Sequence, residues 1–123
     1  MPKKRIFVVD DNPTVRSMVR QLFESEANYV MVGEAENGRD AIAKAVFVKP
    51  DLIVLDLSMP VMSGLDAAPY LRTVLPETRL LLFTVHNGRE VERLARAAGI
   101  QAVVSKDKGA LELVPRSKAL LAS

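Results

Sequence analysis

The chain has 123 residues, 49% of them hydrophobic, and a formal charge of only +2 from 17 Lys and Arg against 15 Asp and Glu. Residues 1–123 thus suit one ordinary domain with a real core, and the near balance of charge, despite a pI of about 9.1, announces neither a nucleic-acid nor a membrane surface. The lack of cysteine excludes thiol catalysis, cysteine metal sites and disulfides; the basic start Met1-Pro2-Lys3-Lys4-Arg5 precedes too short an apolar stretch for a signal peptide or membrane span, so a soluble cytoplasmic protein is expected.

Ile6-Phe7-Val8-Val9 reads as a buried strand, and Asn12-Pro13 then supplies an N-cap with proline at the first helical position. Val15, Met18, Val19 and Leu22 mark the apolar stripe of that helix, which should run to about Glu26. Tyr29 to Val32 reads as a second strand. Asn37 and Asp40 have the spacing of a capping box and open a helix carrying Ile42, Ala45 and Val46, which Pro50 stops. Leu52-Ile53-Val54-Leu55 is a third strand ending at Asp56. Beyond it, Ser63 and Asp66 cap a helix with Leu65 and Leu71 inside. Pro69 falls within that helix and predicts a kink or a late start, because a mid-helix proline costs about 3 kcal/mol.

Arg79 to Thr84 makes a fourth strand, followed by Asn87 and Glu90 as a further cap and by Val91, Leu94, Ala95 and Ala98 as a buried stripe. Gly99 fits a left-handed C-cap. Gln101 to Ser105 is the fifth strand. The last helix is expected to use Leu111, Val114, Leu120 and Leu121, and to begin late enough to hold Pro115 in its first turn. Alternating strands and helices with short connections predict a three-layer α/β sandwich, with a ligand crevice beyond the strand carboxyl ends.

At those ends the polar residues recur. Asp10 and Asp11 follow the first strand, Asp56 the third, Thr84 closes the fourth and Lys106 follows the fifth. One strand-end aspartate alone is ordinarily a turn former. Three carboxylates converging on one edge repel one another unless protonated or compensated, and a hard divalent cation such as Mg2+, which takes oxygen ligands, resolves the conflict. With a lysine as point charge and a hydroxyl as hydrogen-bond donor, the set matches what a transferring phosphoryl group needs, and an aspartate can itself be the nucleophile.

The stretches Val8-Val9-Asp10-Asp11-Asn12, Asp51 to Pro60 with Gly64, Phe83-Thr84 and Ser105-Lys106-Asp107 closely resemble the receiver domain of bacterial two-component response regulators across essentially the whole chain. The resemblance implies a flavodoxin-like fold, with a five-stranded parallel sheet in order 2-1-3-4-5, and makes Asp56 the phosphoacceptor. Asp11 and Asp56 would ligate Mg2+ directly, Asp10 through metal-bound water, and the carbonyl of Ser58 would add a ligand. Lys106 would bridge to the phosphoryl group and Thr84 would move to bond it. The implied partners are a sensor histidine kinase or a phosphotransfer protein, and a second copy of the chain in a homodimer; nucleic acid would be reached only through an output domain outside these residues. The implied protein is not an enzyme but a phosphoacceptor that assists its own phosphorylation and dephosphorylation. Lys106-Asp107 is similar to receivers of the LuxR and NarL type.

Two positions depart from that pattern. Val103 stands where an aromatic residue is usual, so the output change is expected to be smaller or to be carried by the loop after Thr84; Val85 stands where a small residue is usual and narrows access to the phosphoryl site. The same departures motivate an alternative, a receiver-like dimerisation or scaffold module that switches weakly. A phosphatase built on Asp56 lacks a second aspartate two residues on, where Ser58 stands, and no P-loop is present. His86 reads as a polar loop residue rather than a phosphohistidine. Arg89, Arg93 and Arg96 read first as a solvated helix face and second as a partner face, and Met59-Pro60-Val61-Met62 packs locally or touches a kinase.

Overall fold

A computed structural model describes residues 2–122, so Met1 of the basic start lies outside the described residues. In chain order the elements are β1 Lys4–Val9, α1 Pro13–Glu24, β2 Tyr29–Ala35, α2 Gly38–Val48, β3 Leu52–Leu55, α3 Gly64–Val74, β4 Arg79–Thr84, α4 Arg89–Ala97, β5 Ala102–Ser105 and α5 Gly109–Ala122. A short 3-10 turn, Lys106–Lys108, joins β5 to α5. The strands form one parallel sheet in the expected order β2-β1-β3-β4-β5.

Alternation along the strands divides the core in two, as the period-2 pleat requires. Ile6, Val8, Leu52, Val54, Leu81, Phe83 and Val104 pack with Val19 and Phe23 of α1 and Leu113 of α5 on one face. Phe7, Val9, Ile53, Leu55, Leu80 and Leu82 pack on the other with Ala41 and Ala45 of α2, Ala67, Ala68 and Leu71 of α3 and Ala95 of α4. The alanines let these helices sit close to the sheet, and the long aliphatic residues of the strands fill the space between layers. Phe23 and Tyr29 add an edge-to-face aromatic contact with ring centroids 5.4 Å apart.

Three expected caps form. The side chain of Asn12 accepts from the Thr14 amide at 2.8 Å, that of Asn37 from the Asp40 amide at 2.9 Å and that of Ser63 from the Asp66 amide at 3.1 Å. The fourth does not: Gly88, at φ +121°, is the N-cap of α4 and no side chain caps that helix, so Asn87 and Glu90 have no capping role. Gly99 does turn left-handed, at φ +91°.

Pro115 corrects the expected start of α5, and Pro69 does not delay the start of α3. α3 starts at Gly64 and runs through Pro69, and α5 starts at Gly109 and runs through Pro115, so neither proline lies in a first turn. Each proline is exposed, and the carbonyl it leaves unbonded one turn back can be served by water instead of being orphaned in the core. The early start also shifts the phase of α5. Leu113 and Ser117 are buried, Leu111 is 80% exposed, and Val114, Leu120 and Leu121 are only half-buried. The α4 stripe is narrower than expected as well, with Ala95 buried and Leu94 exposed. α1 ends two residues before Glu26, and β2 extends three beyond Val32. Among the described residues no helix is long and apolar enough to cross a membrane.

Candidate functional site

Sheet register builds the site. Val9 pairs with Leu55 and Leu55 with Leu82, so Asp10 and Asp56, each one residue further on, emerge side by side at the same edge. Main-chain bonds hold both strand ends there: the Asp10 amide donates to the Ala35 carbonyl at 3.1 Å, and the Asp56 amide to the Val9 carbonyl at 2.9 Å. Thr84 pairs with Ser105, which puts Lys106 at the same edge. Gly64 is required beside them, because a Cβ there would lie 2.0 Å from the carbonyl oxygen of Asp56.

Asp10, Asp11 and Asp56 each offer a carboxylate oxygen within 4.8 Å of the others, Asp10 and Asp56 buried and Asp11 exposed. Lys106 reaches into this cluster. Its Nζ lies 2.7 Å from Oδ2 of Asp10 and 3.3 Å from Oδ1 of Asp56, and the Leu57 amide donates to Oδ1 of Asp56 at 2.8 Å. Burial pushes the Asp56 carboxyl above its ordinary range and the Asp10 charge pushes it further, with Lys106 and the Leu57 amide only partly offsetting them. For Lys106 burial pulls the ammonium down, but Asp10 and Asp56 together outweigh it and leave it above the usual lysine value. Both groups therefore shift upward, Asp56 through burial and the neighbouring Asp10 charge and Lys106 through its two carboxylate partners.

Thr84 is fully buried at the same edge, and its hydroxyl oxygen accepts from the His86 amide at 3.0 Å. Ser58 is exposed two positions beyond Asp56. Val85 is 66% exposed, and Val103 packs half-buried against the α2–α3–α4 side of the sheet. His86 is exposed, and Arg93 is paired with Glu90 on the surface of α4.

Sequence reasoning missed Arg16. Its guanidinium donates through Nε to Oε1 of Glu34 at 2.7 Å and through Nη1 to the main-chain carbonyl of Asp10 at 2.7 Å. The available signal was its place one turn after the Asn12 cap, where a long side chain reaches back toward the preceding strand end.

Three carboxylates against one ammonium leave two formal negative charges in a mostly buried cluster, and every donor is an oxygen. That donor set fits Mg2+, which takes one or two carboxylates and keeps waters. The sequence profile of the response regulator receiver domain matches residues 6–117. The chain is similar to the nitrate/nitrite response regulator NarL of Escherichia coli K12, 38% identical over 102 residues that span 83% of this chain and 47% of NarL. Among solved structures it resembles a LuxR-family two-component response regulator from Aurantimonas sp. SI85-9A1, with TM-score 0.93, 35% identity and coverage of 98% of this chain and 86% of that one. The signal receiver domain of NarL from Mycobacterium tuberculosis gives TM-score 0.93 at 30% identity over 100% of this chain and 99% of that one. The chain spans about half the length of the curated relatives it matches. On its fold, its strand-edge acids and these likenesses, the chain belongs to the response regulator receiver domain family of two-component signalling.

Proposed function

We propose that Asp56 accepts a phosphoryl group from the phosphohistidine of a sensor kinase or phosphotransfer protein, in the presence of Mg2+, and that the resulting dianion reorganises the loop after β4. The observation that carries this reading is the convergence of Asp10, Asp11, Asp56 and Lys106 on one strand edge. An Asp56 carboxylate oxygen forms the new O–P bond while the P–N bond of the donor breaks, and the imidazole leaves with the electron pair. Asp10, Asp11 and Asp56, with the Ser58 carbonyl, would hold Mg2+, which neutralises charge on the phosphoryl oxygens when bound. Lys106 is within reach of Asp56 and supplies a second counter-charge. The chain turns over no external substrate in this reading; its acids and lysine serve its own phosphorylation and hydrolysis.

Thr84 supplies the switch. Its hydroxyl has a proton to donate to a new phosphoryl oxygen, and turning toward that oxygen weakens its bond with the His86 amide. The loop that begins at Val85 is thereby released to a second conformation, and phosphorylation shifts the population between the two. Val103, half-buried against the core, supports placing the relay in this loop rather than on β5.

Intact-mass measurement after incubation with Mg2+ and a small acyl phosphate tests the reading. The expected result is a gain of one phosphoryl group that disappears in Asp56→Asn. A protein that gains no phosphoryl group, or gains one that persists in Asp56→Asn, overturns it; the first outcome leaves the scaffold alternative standing.

A further inference from the structure

We propose that Arg16 is a positioning residue, which clamps the Asp10–Asp11 peptide so that the Asp11 carboxylate stays within the acid cluster. The inference rests on the reading of that cluster as a Mg2+ site. Arg16 lies on the first turn of α1, yet its side chain is only 12% exposed because it folds back over the end of β1. The guanidinium bridges two elements: Nε binds Glu34 near the end of β2, and Nη1 binds the Asp10 carbonyl. Glu34 is held in turn by Arg20, and Glu36 stands 3.8 Å from Nη2 of Arg16. The planar fork of arginine makes these contacts in one fixed geometry, which an ammonium cannot copy.

The carbonyl of Asp10 and the amide of Asp11 belong to one rigid peptide plane. A donor that fixes this carbonyl therefore fixes the direction in which the Asp11 Cα, and so its side chain, leaves the strand. Asp10 and Asp56 are buried and have Lys106 to orient them, whereas Asp11 is exposed, so the acid nearest solvent depends most on its backbone. Partners that orient metal ligands in this way alter metal affinity without touching the metal.

Charge alone predicts the opposite sign. A nearby arginine repels a divalent cation, so removing it by electrostatics alone tightens Mg2+ binding; loss of a clamp weakens it. Calorimetric titration of Mg2+ into the full chain, with thermal unfolding of each protein beforehand, separates the two. Arg16→Gln is expected to weaken binding by about 10- to 100-fold, and Arg16→Lys to recover only part of that loss. Arg20→Gln, which removes a charge and a bond at the same glutamate but no bond to Asp10, is expected to weaken binding far less than Arg16→Gln does. If Arg16→Gln does not fold, Arg16→Lys carries the test alone. A wild type that binds Mg2+ while Arg16→Gln binds equally well or better overturns the role of Arg16. A flat titration in every protein, wild type included, overturns the metal reading on which it rests.

Discussion

Asp56 is 6% exposed, shares one lysine with Asp10 and has its carboxyl pushed above the ordinary range by burial and by that neighbour. A group whose folded pKa is raised contributes most to stability below its unfolded pKa, and that contribution is lost as pH rises through the folded value. Charged Asp56 therefore destabilises the metal-free protein at neutral pH. Asp56→Asn is expected to raise its stability there, and the gap should close as pH falls toward the ordinary carboxyl range. Thermal unfolding at the two pH values checks it; a wild type more stable than the variant at neutral pH without metal contradicts it. Val61 is a second site of internal cost, since it is β-branched, sits at φ +70° and is 72% exposed. Asn tolerates that conformation, and Val61→Asn buries nothing less than valine did. A gain of about 1 kcal/mol in chemical denaturation is expected. The place of Asp56 at the strand edge was readable from the apolar run that it ends, whereas the strain at Val61 was not, because φ depends on how the loop between β3 and α3 closes.

At the scale of elements, local signals worked where the backbone itself answers them. Asn12, Asn37 and Ser63 each precede a helix and each side chain accepts an amide of its first turn. Asn87 has the same spacing to Glu90, but α4 begins one residue later, after a glycine at φ +121° that lets the loop turn independently of any side-chain cap. The two asparagines should therefore differ under mutation. Asn12→Ala is expected to cost about 1 kcal/mol of stability and Asn87→Ala to leave it unchanged, measured by denaturant unfolding with equal slopes. Equal losses in both would contradict the cap assignment. Pro69 and Pro115 show the limit of propensity: each helix is held by its buried face, through Leu71 in α3 and Leu113 in α5, and one missing bond on the solvent side does not end it. The phase of α5 was illegible for a related reason. The helix follows directly on the 3-10 turn Lys106–Lys108, and this brings Leu113 rather than Leu111 onto the sheet.

For the whole molecule, the acid cluster holds three carboxylates against one lysine, so Mg2+ bound there as proposed is expected to be linked to folding. At a Mg2+ concentration ten times the dissociation constant, unfolding is expected to require about 1.4 kcal/mol more than without it. The increment should shrink in Asp56→Asn, and an unfolding curve insensitive to Mg2+ would contradict the linkage. By itself the sequence determined the alternation of strands and helices, the parallel sheet, and the arrival of Asp10, Asp11, Asp56, Thr84 and Lys106 at one edge. Apolar runs bounded by caps and turns are local signals, and right-handed crossovers leave few ways to assemble them. Only the tertiary structure decided that Lys106 pairs with both Asp10 and Asp56, that Thr84 holds the His86 amide, that Arg16 clamps the Asp10 carbonyl, and which side of α5 is buried. The long-range pairings join groups far apart in the chain, the local ones depend on how the loops close, and all are selected by packing and by the cost of burying charge rather than by any residue's intrinsic preference.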